Sequence, residues 1–199
     1  MDLQRTMENL KKRGFEVSYF ETRSDAADYL VGSIKDTTVG IGGSKTVQAL
    51  DIYDRLCEKN TVLWHWAEGA APDAALRATN EAKVYLSSAN AVAETGEIIN
   101  IDGRGNRVAA TIYNKEKVYI IIGTNKIAEN FDAALWRARN VAAPLNAKRF
   151  GKTTPCTKLD KCADCMSPER ICAALVVLWG PTVGVDSVEV VIINEELGM

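Results

Sequence analysis

The sequence predicts a single α/β domain in which helices cover both faces of a mostly parallel β-sheet. Three observations support this fold class: short apolar strands alternate with amphipathic helices, a glycine-rich loop joins one strand to a helix, and no linker divides residues 1–199. Alternation of strands and helices is typical of parallel sheets, because each crossover helix packs on a face of the sheet.

The first half of the chain begins with a predicted helix over 2–13, where apolar residues recur at helical spacing and Gly14 ends the run. A strand over 15–19 follows, and Ser24 is the expected N-cap of the next helix. The other elements of this half are strands over 37–41, 61–64 and 83–86 and helices over 45–58 and 73–79. Cys57 occupies an apolar position of its helix and is expected in the core.

The second half continues with strands over 97–101 and 118–122 and a helix over 128–142. Helical periodicity is lost after Pro144, and residues 151–172 form a predicted cysteine-rich loop. Strands over 173–179 and 188–193, joined by a turn at Gly180–Pro181, are expected to close the fold as a hairpin on the edge of the sheet.

The composition is that of an ordinary globular protein, with 47% hydrophobic and 25% charged residues. Lys and Arg number 24 against 26 Asp and Glu, so no net positive field favours nucleic-acid binding. The longest apolar run, 173–179, is far shorter than the roughly 20 residues of a membrane span. The N-terminus lacks the apolar region of a signal peptide, and we expect a cytoplasmic protein with reduced thiols.

A glycine-rich loop follows the predicted strand 37–41 and carries an anion-binding pattern. Backbone N–H groups of Gly42 and Gly43 and the dipole of the following helix are expected to converge on one point. Ser44 and Thr46 add hydroxyl groups and Lys45 adds a charge. The loop suits a phosphate, a carboxylate or the diphosphate of coenzyme A. In the alternative interpretation, the glycines only make a tight turn and Ser44 caps the helix.

Two further segments are expected at the same edge of the sheet, where the carboxyl ends of parallel strands meet. Glu94, Thr95 and Gly96 form a turn after the strand 83–86, and Glu94 is a candidate base, nucleophile or ligand acceptor. Its alternative role is a solvated or helix-capping carboxylate. Asn125 and Lys126 follow the strand 118–122, where Lys126 supplies a cation.

His65 is the single histidine and lies between Trp64 and Trp66 at a predicted strand end. A histidine in this setting is more often structural than catalytic, and it is a minor candidate for the site. The two tryptophans are also a candidate surface for a homodimer.

Four of the five cysteines, Cys156, Cys162, Cys165 and Cys172, have the spacing C-x5-C-x2-C-x6-C. Four thiols so close in sequence indicate an iron–sulfur cluster or a thiolate-bound zinc ion, since both need soft ligands from one flexible segment. The spacing does not distinguish an iron–sulfur cluster from zinc, and free thiols or disulfides are the remaining alternative.

Several segments together resemble the lactate-utilisation (LUD) domain family. They are Gly40–Ser44, Trp64–Trp66, Ala93–Gly103, Ala134–Asn140 and the four C-terminal cysteines. The resemblance implies a fold similar to ribose-5-phosphate isomerase, glucosamine-6-phosphate deaminase and the coenzyme A transferases. It also implies that Gly42, Gly43, Ser44 and Glu94 match positions that hold or process a ligand in that superfamily.

Better-known members of the family take part in an iron–sulfur system for L-lactate oxidation, together with a redox partner protein. The resemblance therefore implies an accessory or electron-transfer component of 2-hydroxy-acid metabolism that binds a small anion. The alternatives are a transferase or isomerase that acts through Glu94, and a zinc-stapled regulatory protein that binds a metabolite.

Overall fold

A computed structural model describes the backbone of all 199 residues and every side chain except that of Pro72. In chain order the elements are α1 (Leu3–Lys12), β1 (Glu16–Phe20), α2 (Arg23–Ser33), β2 (Thr38–Ile41), α3 (Lys45–Gln48), α4 (Tyr53–Cys57), β3 (Thr61–Trp64), α5 (Pro72–Glu81), β4 (Val84–Ser87), β5 (Ala91–Ala93), β6 (Ile98–Asp102), α6 (Asn106–Ile112), β7 (Lys115–Gly123), a 3₁₀ turn (Thr124–Lys126), β8 (Ile127–Ala128), α7 (Phe131–Arg137), a π-helical segment (Ala138–Ala142), α8 (Ala143–Arg149), α9 (Pro155–Leu159), β9 (Ala174–Leu178) and β10 (Val185–Ile193).

The predicted α/β fold class is confirmed. A six-stranded sheet has the order β1-β10-β7-β4-β2-β3, and every neighbouring pair is parallel. A smaller sheet has the order β8-β5-β6-β9, in which β6 is antiparallel to both β5 and β9. No helix in the described part of the chain has both the length and the apolar character needed to cross a bilayer.

Side chains of β10 alternate between two separate cores, one on each face of the larger sheet. Val191 and Ile193 pack with α2, whose Leu30 is fully buried. Val190 and Ile192 pack on the opposite face with the core that contains Leu10 of α1. Burial of both faces explains why the strand is almost continuously apolar, as central parallel strands are.

The predicted hairpin of the last two strands is wrong. β10 lies inside the larger sheet between β1 and β7, whereas β9 pairs with β6 in the smaller sheet. The predicted strand 97–101 likewise lies in the smaller sheet as β6, and the short strand β5 before it was not predicted. Apolar patterns locate strands well but do not specify their neighbours.

The predicted helix over 45–58 is also wrong, because the chain forms two short helices, α3 and α4. Asp51 between them has a φ of 52°, a left-handed conformation that a helix cannot include. Cys57 at the end of α4 is exposed rather than in the core. Thr22, not Ser24, caps α2, since its side chain accepts a hydrogen bond from the Asp25 N–H.

The helix that was predicted to end before Pro144 continues to Arg149. Pro144 has no N–H and its ring crowds the carbonyl four residues earlier, so a regular α-helix is disfavoured there. The chain passes this point through the π-helical segment, which precedes the proline, and α8 then begins with Pro144 in its first turn. The predicted cysteine-rich loop contains one short helix, α9.

The central position of β10 gives a stability prediction. Ile192→Ala should lower the free energy of unfolding by about 2–5 kcal/mol, because Ile192 is fully buried in a two-sided sheet. Leu175→Ala on β9 is the control, because Leu175 is 51% exposed and its truncation should cost less than about 0.5 kcal/mol. Urea unfolding of both variants measures the difference. Equal, small losses would contradict the central placement of β10.

Candidate functional site

The carboxyl ends of β2, β4 and β7 meet around a cavity of about 80 Å³, here called the basic pocket. Residues 43–46 follow β2, residues 88–90 follow β4, and Lys126 follows β7. Helices α6 and α8 add Arg107, Asn146 and Arg149, and the C-terminal residues Gly198 and Met199 also line the cavity. The pocket therefore lies at the edge where parallel sheets ordinarily bind ligands.

Lys126 is the most buried cation of this pocket, with 4% of its surface exposed. Its Nζ atom donates to Thr46 Oγ1 at 2.8 Å, to Ser88 Oγ at 2.9 Å and to the Ala89 carbonyl at 3.2 Å. Among the described side chains, no carboxylate lies within ion-pair distance of Nζ. Burial, helped by the charges of Arg137 and Arg107, lowers the pKa of Lys126 to about 7.

Arg107 and Arg149 add two more cations that also lack a carboxylate partner within the described structure. Arg107 donates to neutral acceptors, including Asn100 Oδ1 at 2.5 Å and the Ile101 carbonyl at 2.8 Å. Arg149 donates to Asn146 Oδ1 at 2.9 Å. The side chains that line the pocket thus include the cations Lys45, Arg107, Lys126 and Arg149 and no Asp or Glu.

The glycine-rich loop contributes in a different way from the one predicted. α3 has only four residues, so the long helix whose dipole was expected to attract an anion is absent from this site. Ser44 Oγ accepts from the Val47 N–H at 3.2 Å and thus acts as a helix cap, while also lining the pocket. A Cβ atom on Gly42 would lie 2.7 Å from the Tyr85 hydroxyl, which explains the glycine there.

A second cavity of about 470 Å³ adjoins the basic pocket, and we call it the aromatic chamber after His65, Trp66 and Phe150 in its walls. The two cavities have five residues in common, namely Gly43, Asn90, Arg107, Asn146 and Arg149. The walls of the chamber also contain apolar side chains, the cations Arg104 and Lys152, and the polar residues Asp102 and Asn106. The two cavities therefore adjoin each other and share part of their walls.

Burial, together with the charges of Arg104 and Arg149, lowers the pKa of His65 below its usual value and so favours the neutral imidazole. Its Nδ1 atom is buried and has no hydrogen-bond partner among the described atoms. Trp66 lies beside it, with the Lys45 Nζ atom 5.5 Å and the Arg149 guanidinium 5.3 Å from the indole centroid. These distances are typical of cation–π contacts.

All four cysteines of the C-terminal motif line one small apolar cavity of about 20 Å³, here called the cysteine cavity. Cys162 Sγ accepts from the Asp164 N–H at 3.4 Å and from Arg139 Nη2 at 3.7 Å. Cys172 Sγ accepts from Arg170 Nε at 3.2 Å. Among the side chains that the structure describes, no three His, Cys, Asp or Glu groups are arranged closely enough to hold a metal ion.

The cysteine cavity and the aromatic chamber are neighbours. Ala143 of α8 and Ile171, between Arg170 and Cys172, line both of them. These two residues therefore belong to the walls of both cavities.

Comparison with known proteins identifies the family. The sequence profile of the LUD domain matches residues 3–193. The chain belongs to the LUD domain family. The resemblance that the sequence indicated is therefore confirmed. A solved structure of a DUF162 family protein from Deinococcus radiodurans is similar in fold, with a TM-score of 0.58, 13% sequence identity and 96% coverage of each chain. No curated protein matches the sequence.

Glu94 of this LUD domain is not placed at the expected edge. It lies in the turn between β5 and β6 of the smaller sheet and lines neither the basic pocket nor the aromatic chamber. Its Oε1 atom accepts from the Asp2 N–H at 2.8 Å and lies 3.7 Å from the amino group of Met1, while Oε2 lies 3.9 Å from Arg5 Nη1. The carboxylate therefore fastens α1 to the smaller sheet.

Thr95 and Gly96 serve the same attachment. Arg13 Nε donates to the Thr95 carbonyl at 2.7 Å, and a Cβ atom on Gly96 would lie 2.8 Å from the Arg13 side chain. Asn125 also lies outside the three cavities, and its Oδ1 atom accepts from the Leu197 N–H at 3.2 Å. Of the two predicted rim residues after β7, Lys126 alone lines the basic pocket.

Arg107, Arg149 and Gly198 of this LUD domain were not predicted as site residues. Arg149 lies in α8, far from any predicted strand end, and Arg107 lies in α6, a helix that was not predicted after the strand 97–101. Gly198 packs on the buried cation, because a Cβ atom there would lie 2.4 Å from Thr46 Oγ1 and 3.3 Å from Lys126 Nζ. Its φ of 69° also favours glycine, but one glycine near a terminus carries no recognisable signal.

Proposed function

We propose that this LUD domain binds a small anionic metabolite in the basic pocket, as a component of 2-hydroxy-acid metabolism of the kind that gives the family its name. The observation that carries the proposal is Lys126, a buried ammonium group that faces a cavity and has only neutral oxygen partners in the described structure. A carboxylate or phosphate in the cavity would form charge-assisted hydrogen bonds with it.

Burial of an uncompensated charge costs several kcal/mol, so a fold keeps one only where something offsets the cost. Lys115, at the other end of β7, shows how a purely structural lysine is arranged. It is equally buried, and its Nζ atom donates to the Asn80 and Asn114 carbonyls at 2.6 and 2.7 Å. Lys115 lines none of the three cavities, whereas Lys126 shares a cavity with Arg107 and Arg149. The comparison favours a ligand-binding role for Lys126.

A second candidate function is an electron-transfer or metal centre formed by Cys156, Cys162, Cys165 and Cys172. The supporting observation is that all four thiols line one cavity and that two of the sulfur atoms accept hydrogen bonds from arginines. Such donors stabilise thiolates, the form that binds metals. An iron–sulfur cluster held there would supply one-electron transfer to a redox partner protein, whereas zinc would supply a structural cross-link.

The alternative of a transferase or isomerase that acts through Glu94 has weaker support. The Glu94 carboxylate is engaged by the first residues of the chain and lies outside both ligand cavities. A catalytic group must reach the reacting atoms within hydrogen-bond distance.

The first prediction from the basic pocket concerns anion binding. Sulfate at about 100 times its dissociation constant should stabilise the protein by about 2.7 kcal/mol, which raises the melting temperature by about 5–10 °C. Lys126→Met should weaken sulfate binding by at least about tenfold, because a charged hydrogen bond is worth about 1.5–3 kcal/mol. Lys115→Met is the matched control and should keep the full response. Calorimetry and thermal melts measure both, and an unchanged affinity in Lys126→Met would contradict the proposal.

The pKa of Lys126 predicts how anion binding depends on pH. The depressed value of about 7 means that the free protein loses the charge of Lys126 as the pH rises above 7. A bound anion favours the protonated form, so binding above pH 7 should take up a proton and weaken by up to about tenfold per pH unit. Sulfate is the suitable probe, since it does not titrate in this range. Calorimetry in buffers of different ionisation enthalpy measures the uptake, and Lys126→Met should show none.

The cysteine motif gives a separate prediction. Protein purified without oxygen should contain iron with matching sulfide, or zinc, at a constant ratio per chain, and a variant with Cys162 and Cys165 changed to Ser should lose it. Cys57→Ser is the control, because Cys57 is exposed and remote in sequence from the motif. Metal and sulfide analysis with a visible spectrum decides between cluster and zinc. If the intact protein contains neither iron nor zinc, both assignments are excluded.

A further inference from the structure

The basic pocket and the aromatic chamber differ greatly in volume. The basic pocket holds about 80 Å³ and accommodates one anionic group, whereas the adjoining aromatic chamber holds about 470 Å³. Pockets for small organic ligands usually measure about 300–1,000 Å³, so the chamber alone falls within that range. A free three-carbon hydroxy acid would occupy the smaller cavity and leave the larger one to water.

The chamber has the surface chemistry of a site for a planar ring. Trp66, Phe150 and His65 supply aromatic surface, and Leu76 and Ile171 supply aliphatic surface. Stacking of a base on an aromatic side chain is worth about 1–3 kcal/mol. The walls also carry polar groups, so a ring with hydrogen-bonding edges fits better than a hydrocarbon chain.

One of these polar groups lacks a partner. His65 Nδ1 is buried without a hydrogen bond within the described structure, although unsatisfied buried groups are costly. The neutral imidazole can donate through one ring nitrogen and accept through the other. His65 therefore lines the chamber with one hydrogen-bonding nitrogen unused in the free protein.

Two cations of the basic pocket also contact the aromatic surface of the chamber. Lys45 and Arg149 line the basic pocket and also lie over the Trp66 indole. A phosphate in the pocket would attract both cations and leave the indole available to a ring attached to that phosphate. Anion and ring would therefore be bound next to each other.

We infer that the ligand of this LUD domain is a phosphate ester that carries a planar aromatic ring, of the size of a nucleoside monophosphate. Its phosphate contacts Lys126, Arg107 and Arg149 in the basic pocket, and its ring lies in the aromatic chamber beside Trp66. This inference rests on the proposed anion-binding function and specifies the class of compound that the pocket takes.

The test compares the affinities of matched probes by calorimetry. The probes are inorganic phosphate, L-lactate, ribose 5-phosphate, phenyl phosphate, adenosine and the monophosphates of adenosine, guanosine, cytidine and uridine. At least one ring-bearing phosphate should bind ten or more times more tightly than inorganic phosphate, ribose 5-phosphate and adenosine. Ribose 5-phosphate controls for the sugar, and adenosine controls for the ring without its anion.

Substitutions in the wall of the aromatic chamber test whether the ring of the ligand binds there. Trp66→Leu and Phe150→Ala should each reduce the affinity for the best ring-bearing phosphate at least fivefold more than they reduce the affinity for inorganic phosphate, which also reports the contacts of Lys45 and Arg149 with these rings. Phe150 is 52% exposed, so its truncation leaves the fold intact. Trp179→Leu is the control, because Trp179 is 69% exposed and lines none of the three cavities, and it should change nothing.

The outcomes separate this inference from the function on which it rests. If inorganic phosphate or lactate binds as tightly as every ring-bearing phosphate, the inference is overturned and anion binding stands. If no anionic probe binds, the proposed function fails as well. A tight ring-bearing phosphate that is insensitive to both Trp66→Leu and Phe150→Ala would also overturn the inference.

Discussion

The arrangement of this protein depends on one ammonium group that is buried at the end of the longest central strands. β7 carries Lys126 to the carboxyl edge of the sheet, where hydroxyl groups from the loops after β2 and β4 surround it. The last residues of the chain then cover it, with Gly198 packed against Thr46 and Lys126. Loops that are distant in sequence are thus organised around one charge. Such a site costs stability in the free protein, as functional sites commonly do.

Much of the fold was predictable because local patterns determine local structure. Strands such as β3 (Thr61–Trp64) and β7 (Lys115–Gly123) have short apolar runs with clear ends. Their neighbours were less predictable, because the same apolar run suits a hairpin edge or a central parallel strand, and β10 proved to be the latter. The break inside the predicted helix 45–58 was also not predictable, since Asp51 adopts the left-handed conformation where no glycine marks it.

The candidate site was predictable to the extent that strand ends define it. The loop after β2 and Lys126 after β7 follow from the rule that ligands bind at the carboxyl edge of a parallel sheet. The position of Glu94 was predicted incorrectly, because its turn follows a strand of the smaller sheet, and the sequence did not indicate that a second sheet exists. Arg107 and Arg149 reach the pocket from helices, so only the three-dimensional packing brings them there. The location of the site was therefore predictable from the sequence, whereas most of its positive charge became apparent only in the structure.

The π-helical segment Ala138–Ala142 sets the angle at which α8 follows α7, and each of these helices carries an arginine with a defined position. Before it, Arg137 donates to the Asn90 and Asn125 carbonyls, and after it, Arg149 faces the basic pocket. Each residue of an α-helix turns the chain by about 100°, and a π-turn absorbs one extra residue. Loss of a single residue in this segment would rotate α8 by about that angle and carry Arg149 out of the pocket. The length of this segment therefore matters as well as its residue types, because an insertion or deletion would redirect α8 and with it the side chain of Arg149.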